Sequence, residues 1–295
     1  MRVLITGAAG FTGRYLGQLL IEAGHEAIGL AQSGESVPYA SQVFFGDLGD
    51  AAWLREVVCE VRPEAVVHLA AISFVAHDDA DEIYRNNLLG TRHLLEALAC
   101  IGTCRSVLLA SSANIYGNAS EGVLTEDTCP APANDYAVSK LAMEYVARLY
   151  KDRLPIIIAR PFNYTGVGQA ESFLLPKIVG HFKRRAPVIE LGNLEVTRDF
   201  SDVRVVADCY RRLLDCPAAV GQAFNICSGR AVSLAHVMDT MRSLSGHEME
   251  VRVNPAFVRR NEVRVLLGSR ARLESVVGRV NDIPIEQTLQ WMLEA

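Results

Sequence analysis

Apolar residues recur along this chain in two rhythms. Short apolar-rich runs at Val3–Thr6, Glu26–Ala31, Gln42–Phe45, Ala65–Ala70, Ser106–Ala110 and Pro155–Ala159 read as strands. Between them, apolar positions three and four apart predict helices over Phe11–Ala23, Ala51–Val61, Ile83–Cys100 and Tyr136–Tyr150. Strands that are apolar on both faces belong to parallel sheets covered by helices on each side. Regular β–α alternation therefore predicts a doubly wound parallel α/β sheet over residues 1–162. The rhythm loosens after Arg160, where Gly, Pro and Asn interrupt shorter segments. A smaller, discontinuous lobe is expected mainly from 163–295, with a stretch near 196–230 returning to the first unit.

The junction of the first strand and first helix carries the first candidate chemistry. Gly7-Ala-Ala-Gly10-Phe11-Thr12-Gly13 permits a tight turn and close backbone approach to a pyrophosphate. The anion would rest on the helix N-terminus, where amides lack carbonyl partners and the dipole is positive. Gly46-Asp47-Leu48 follows a strand and offers a carboxylate and backbone groups to an adenine edge. Asp47 as a helix cap is the plainer alternative. Leu69-Ala70-Ala71 ends the fourth strand with small side chains that let a ligand lie close. A carboxylate ending the second strand would grip a ribose 2′-hydroxyl, and Leu30-Ala-Gln32-Ser33 has none. Arg14 would suit a 2′-phosphate, or be a solvated helix residue. The expected cofactor is NAD(P)H, with NADPH favoured.

Tyr136 and Lys140 are spaced to share a helix face. An ammonium beside a phenol favours the phenolate and lowers its pKa, making a proton exchanger for a carbonyl or hydroxyl. Lys140 also suits the ribose hydroxyls of a nicotinamide. Ser111-Ser112-Ala-Asn-Ile-Tyr-Gly117 ends a strand, where catalytic groups gather in an open α/β sheet, so Ser112 would share the substrate oxygen. The bland readings are turn-forming serines and a core-filling Tyr116.

Composition narrows the function classes. The 295 residues are 50% hydrophobic and carry 29 Lys and Arg against 34 Asp and Glu, a net charge of −5, which argues against non-specific nucleic-acid binding. No run of 18 apolar residues suggests a membrane span, and the N-terminus lacks a signal-peptide pattern. The seven cysteines fit no disulfide or zinc framework, so a reducing cytoplasm and no metal are expected.

These motifs, with His68-Leu-Ala-Ala71, Asn87-Leu-Leu-Gly-Thr91 and Arg160-Pro-Phe-Asn163, follow the order found in extended short-chain dehydrogenase/reductases of nucleotide sugars. The chain resembles that family over essentially its whole length. The resemblance implies a Rossmann dinucleotide-binding domain and a nucleotide-sugar lobe. It makes Ser112, Tyr136 and Lys140 the catalytic triad and places Asn87 near the cofactor. Ser73, Asn163, Arg198, Arg259 and Glu262 would meet the sugar nucleotide, with Arg260 able to replace Arg259. Within the family, Pro161–Gly166, Gly192–Val203 and Phe224–Gly229 look most like reductases of a GDP-linked 6-deoxy-4-ketohexose, which form GDP-D-rhamnose from GDP-4-keto-6-deoxy-D-mannose. The dehydratases carry carboxylates where this chain has Ala113 and Asn114, so water elimination is not expected. A nucleotide-sugar 4-epimerase with tightly bound NAD is the alternative. Relatives pair as homodimers through the helices matching Ile83–Cys100 and Tyr136–Tyr150. The base, the C4 configuration and the choice between NADH and NADPH stay open.

Overall fold

The computed structural model describes residues 1–73, 79–117, 122–194, 196–257 and 265–295. The chain begins β1 (Arg2–Thr6), α1 (Phe11–Glu22), β2 (Glu26–Ala31), β3 (Gln42–Phe45), α2 (Ala51–Val61) and β4 (Ala65–His68). It continues α3 (Ala80–Tyr84), a π-helical turn (Arg85–Gly90), α4 (Thr91–Ile101), β5 (Ser106–Ala110), β6 (Val123–Leu124), α5 (Asp135–Arg148), β7 (Ile156–Pro161) and β8 (Asn163–Thr165). Then come α6 (Leu174–Lys183), β9 (Val188–Leu191), β10 (Thr197–Asp202), α7 (Val203–Leu214), β11 (Ala223–Ile226), β12 (Ala231–Ser233) and α8 (Leu234–Ser245). β13 (Glu250–Val253), β14 (Val265–Gly268), α9 (Ala271–Val277) and α10 (Ile285–Glu294) complete the order.

Seven of the described strands form one parallel sheet in the order β11-β7-β5-β4-β1-β2-β3. Successive side chains of a strand point to opposite faces. Val3 and Ile5 accordingly pack with Leu16 and Leu20 of α1 and with Val206, Tyr210 and Leu213 of α7. Leu4 turns the other way, toward Leu54 and Val58 of α2, Leu94 and Leu98 of α4 and Met143 of α5. Both faces are buried, which is why the strands show no polar alternation. Strand order reverses between β1 and β4, and ligands of such sheets bind beyond the carboxyl ends at that point.

A second sheet runs β12-β10-β14-β6 with β8 beside β10, and β9 pairs with β13. Its core is Leu175, Ile178 and Phe182 of α6, Val237 and Met241 of α8, and Leu289 of α10. The 196–230 stretch is divided. β10 lies in the small sheet, whereas α7 packs on the large sheet and β11 completes its edge.

Several boundaries differ from the sequence reading. The fourth strand stops at His68, because Leu69–Ala71 turns aside beneath Gly7, where an added Cβ would lie 2.8 Å from the Ala70 nitrogen. The helix expected over Ile83–Cys100 is three pieces, α3, the π turn and α4. α5 starts at Asp135, with the Asn134 side chain accepting from the Ala137 amide at 2.9 Å.

Candidate active site

The glycine turn is built for close approach. Gly7 sits at φ +66°. A Cβ on Gly13 would come within 2.5 Å of the Gly7 carbonyl and 2.6 Å of the Ala8 carbonyl. Glycine at both positions is thus a packing requirement. Gly10 precedes α1 without any side-chain cap, so the first-turn amides at Phe11, Thr12 and Gly13 face an incoming anion. This cradle fits the pyrophosphate of a dinucleotide. Thr12 Oγ1 is 2.8 Å from the Tyr164 hydroxyl, and the Phe11 and Tyr164 rings stack at 6.0 Å. The sequence reading passed over Tyr164, whose only signal is its place after Asn163.

Asp47 lies exposed after β3 and accepts the Gly49 amide at 2.8 Å. The cap of α2 is Asp50, which receives Ala52 and Trp53, so the capping alternative for Asp47 does not hold. Leu48 packs against Gly90, and its carbonyl meets His93 Nδ1 at 3.1 Å. Arg14 is exposed and donates from Nε to the Ala9 carbonyl at 2.9 Å, bracing the turn. A carboxylate does stand at the end of β2. Glu35 folds back to accept the Gln32 amide at 2.8 Å. The sequence reading missed it because the loop that brings it there has no periodic signal.

Leu69, Ala70 and Ala71 are half-buried beside the glycine turn, and Ser73 is exposed. Asn87 is buried in the π turn. Its amide accepts from the Ile72 nitrogen at 2.9 Å and donates to the Ile72 carbonyl and to Ser139 Oγ, both at 3.1 Å. Asn87 thus joins the segment after β4 to α5.

Ser112, Tyr136 and Lys140 are all buried and converge near the carboxyl end of β5. Ser112 Oγ accepts from the Asn114 amide at 3.1 Å and from Asn114 Nδ2 at 3.0 Å, and is hydrogen-bonded to Tyr136. Lys140 Nζ donates to the Ala110 carbonyl at 2.8 Å. Burial pushes the Tyr136 phenol up to about 12, against the lowering by the Ser112 bond. The expected drop caused by Lys140 is therefore overturned, since desolvation of the phenolate outweighs other influences. Burial pulls Lys140 down to about 8, opposed by the Glu144 carboxylate.

Glu144 continues the spacing of Tyr136 and Lys140 by one more turn. It accepts from Ser111 Oγ at 2.6 Å and from Arg160 at 2.9 and 2.7 Å. Arg160 also donates to the Tyr116 hydroxyl at 3.0 Å, and Tyr116 donates to Asn225 at 2.7 Å. Tyr116 is a member of a polar network as well as a core residue.

On the small-sheet side, Asn163 on β8 donates from Nδ2 to the Asp199 carbonyl at 3.3 Å. Arg198 on the adjacent β10 is half-buried and donates to the Thr197 carbonyl at 3.0 Å. Asp199 points inward, fully buried, and accepts from Ser228 N and Oγ, Gly229 N and Gly268 N. β8 and β10 pair with Asn163 opposite Phe200, so Asn163 and Arg198 share one ledge. Arg259, Arg260 and Glu262 lie outside the described residues.

A family model described as the NAD dependent epimerase/dehydratase family matches residues 3–227. The chain belongs to that family. It is an NAD(P)-dependent oxidoreductase with the extended short-chain dehydrogenase/reductase fold. It is 33% identical over 279 residues to a GDP-6-deoxy-D-talose 4-dehydrogenase of Aggregatibacter actinomycetemcomitans, covering 94% of this chain and 92% of that one. It is 35% identical over 304 residues to a GDP-6-deoxy-D-mannose reductase of Pseudomonas aeruginosa, covering 99% and 96%. The structure of RMD from Pseudomonas aeruginosa complexed with NADPH matches at 32% identity and a TM-score of 0.86, covering 99% and 96%. A Burkholderia cenocepacia protein solved as a candidate epimerase matches at 48% identity and a TM-score of 0.93, covering 99% and 97%.

Proposed function

We propose that this oxidoreductase reduces the 4-keto group of a nucleotide-linked 6-deoxy-4-ketohexose, with GDP-4-keto-6-deoxy-D-mannose as substrate and GDP-D-rhamnose as product. The observation that carries this reading is the gathering of Ser112, Tyr136 and Lys140 beside the glycine cradle, with an amide rather than a carboxylate next to the serine. Asn114 is tied to Ser112 Oγ, so it holds the serine and has no proton to exchange. That favours reduction over dehydration. The two GDP-6-deoxyhexose relatives support the choice of substrate.

When bound, NAD(P)H supplies a hydride for C4. A phenol held near 12 stays protonated at neutral pH and can donate to the developing C4 alkoxide. Ser112 shares that oxygen by hydrogen bonding. Lys140, one helical turn after Tyr136, carries the ammonium that would stabilise the phenolate left behind. Gly7, Gly10, Phe11, Thr12, Gly13, Asp47, Leu48, Leu69, Ala70, Ala71 and Asn87 form the cofactor side. Ser73, Asn163 and Arg198 form the sugar-nucleotide side, the role that the family resemblance also gives to Arg259 and Glu262. Arg14 at the start of α1 favours NADPH, and Glu35 opposes it.

We further propose that 1–162 with α7 and β11 acts as the dinucleotide domain, and that the chain works in the cytoplasm as a homodimer. Leu89, Val138, Tyr145 and Leu149 are exposed on the π turn and around α5, and support pairing there. Incubation with GDP-4-keto-6-deoxymannose and NADPH, followed by sugar analysis, tests the activity. Rhamnose is expected, and 6-deoxytalose would reverse the assigned configuration at C4. The Burkholderia cenocepacia match favours the epimerase as second reading. In that case the purified protein retains NAD and consumes no added reductant.

A further inference from the structure

The proposed chemistry leaves one buried titratable side chain unused. His68, the last residue of β4, is 1% exposed and lies between two equally buried threonines. Its Nδ1 is 2.7 Å from Thr6 Oγ1, and its Nε2 is 2.8 Å from Thr91 Oγ1. The neighbouring bonds fix the direction of the relay. Thr91 gives its single hydroxyl proton to the Asn87 carbonyl at 2.7 Å, so it can only accept from His68. The Nε2 atom therefore carries the proton. The bare Nδ1 accepts from Thr6, whose oxygen in turn accepts the Ala70 amide at 3.1 Å. Burial and the facing Lys140 ammonium hold the imidazole pKa at about 3, consistent with a neutral ring.

The two ends of this relay matter. Ala70 lies under Gly7, in the wall of the dinucleotide cradle. Asn87 grips Ile72 and, through Ser139, reaches the Tyr136 carbonyl at 2.8 Å. We propose that His68 is a positioning residue for the dinucleotide: as a neutral Nε2–H imidazole it locks the Ala70 wall of the cradle to the π turn carrying Asn87, and so to the helix that presents Tyr136. The π turn, an irregularity often found at functional sites, is the element that brings Thr91 and Asn87 into line.

The test needs no sugar nucleotide, so it stands or falls separately from the proposed substrate. NADPH and NADH are titrated directly into the purified chain, followed by protein fluorescence, at a temperature below each variant's Tm. Thr91→Val keeps the side-chain shape and removes the acceptor for Nε2–H. It should weaken both dinucleotides about five- to tenfold, the low end of coupling between linked sites. His68→Leu should lose at least as much, and His68→Gln, whose amide both donates and accepts, should recover most of it. A nitrogen–proton correlation spectrum of histidine-labelled wild-type protein should show His68 as the neutral Nε2–H tautomer. Thr91→Val settles the matter should His68→Leu not fold. Unchanged dinucleotide affinity in folded Thr91→Val overturns the proposal, as does an Nδ1–H tautomer or an imidazolium in the spectrum.

Discussion

At the scale of single residues, environment sets the chemistry of Tyr136 and Lys140 in opposite directions. Burial disfavours whichever form is charged, so it raises the phenol and lowers the amine. The phenol is thereby kept as a proton donor. Tyr136→Phe should cut turnover by about 10²–10⁴-fold, the usual worth of general acid catalysis, while directly measured NADPH affinity stays the same. Wild-type kcat in that variant would remove Tyr136 from the mechanism. Lys140 provides a pH limb. Its folded pKa of about 8 lies below the ordinary 10.5. The ammonium is half lost at about pH 8 and disappears above it, so kcat should fall as pH rises through that value. Stability moves the other way. The unfolded chain binds the extra proton between those two values, so this lysine's destabilising effect fades as pH climbs. A flat kcat profile from pH 7 to about 9.5 would show that the charge is not needed. Glu35 is the residue-scale surprise at the cofactor. A carboxylate at the end of β2 repels a 2′-phosphate, so Glu35→Gln should shift the ratio of NADPH to NADH affinity toward NADPH. Equal ratios in the two proteins would place Glu35 away from the ribose.

At the scale of elements, the strands and helices of the large sheet were legible because burial on both faces writes continuous apolar runs. The glycine turn was legible because only glycine satisfies its close contacts. The π turn was not, since Ile83–Cys100 keeps a helical apolar pattern, and the bonds from Asn87 in that turn to Ile72 come from outside the helix. The Glu144–Arg160 pair was hidden for a different reason. Glutamate one turn beyond Lys140 reads as a solvated helix face until packing buries it. In the fold these two side chains are 3% and 5% exposed and 2.7 Å apart, clamping α5 to β7. Removing one partner leaves a buried uncompensated charge, so Glu144→Ala should cost about 3–5 kcal/mol in chemical denaturation. A loss comparable to an exposed pair, below about 1 kcal/mol, would mean that water reaches Arg160 in solution.

At the scale of the whole molecule, the small sheet was the least legible part because its strands come from distant segments. β8 and β10 are about 35 residues apart, and Asp199 of β10 is held from Ser228, Gly229 and Gly268, further along the chain. Alternation along β10 turns Asp199 and Arg198 to opposite faces. Asp199 turns inward as the anchor, and Arg198 stands on the ledge with Asn163. That ledge adjoins the carboxyl end of β7 through β8, which follows it in the chain. A sugar nucleotide with its ketone at Tyr136 would extend its diphosphate toward it. A charge-assisted bond to phosphate is worth about 1.5–3 kcal/mol. Arg198→Ala should therefore raise the sugar-nucleotide KM by roughly 10–150-fold, at about 1.4 kcal/mol per decade. The dinucleotide is held from Gly7 to Gly13, so the KM for NADPH should hardly move. Arg198 also donates to the main-chain carbonyl of Thr197 on the strand itself, so a Tm measurement on the variant separates a binding effect from a loss of fold. A KM change confined to NADPH would put Arg198 on the cofactor instead. No change in either KM would leave Arg198 bracing β10 alone, with the diphosphate held by other groups.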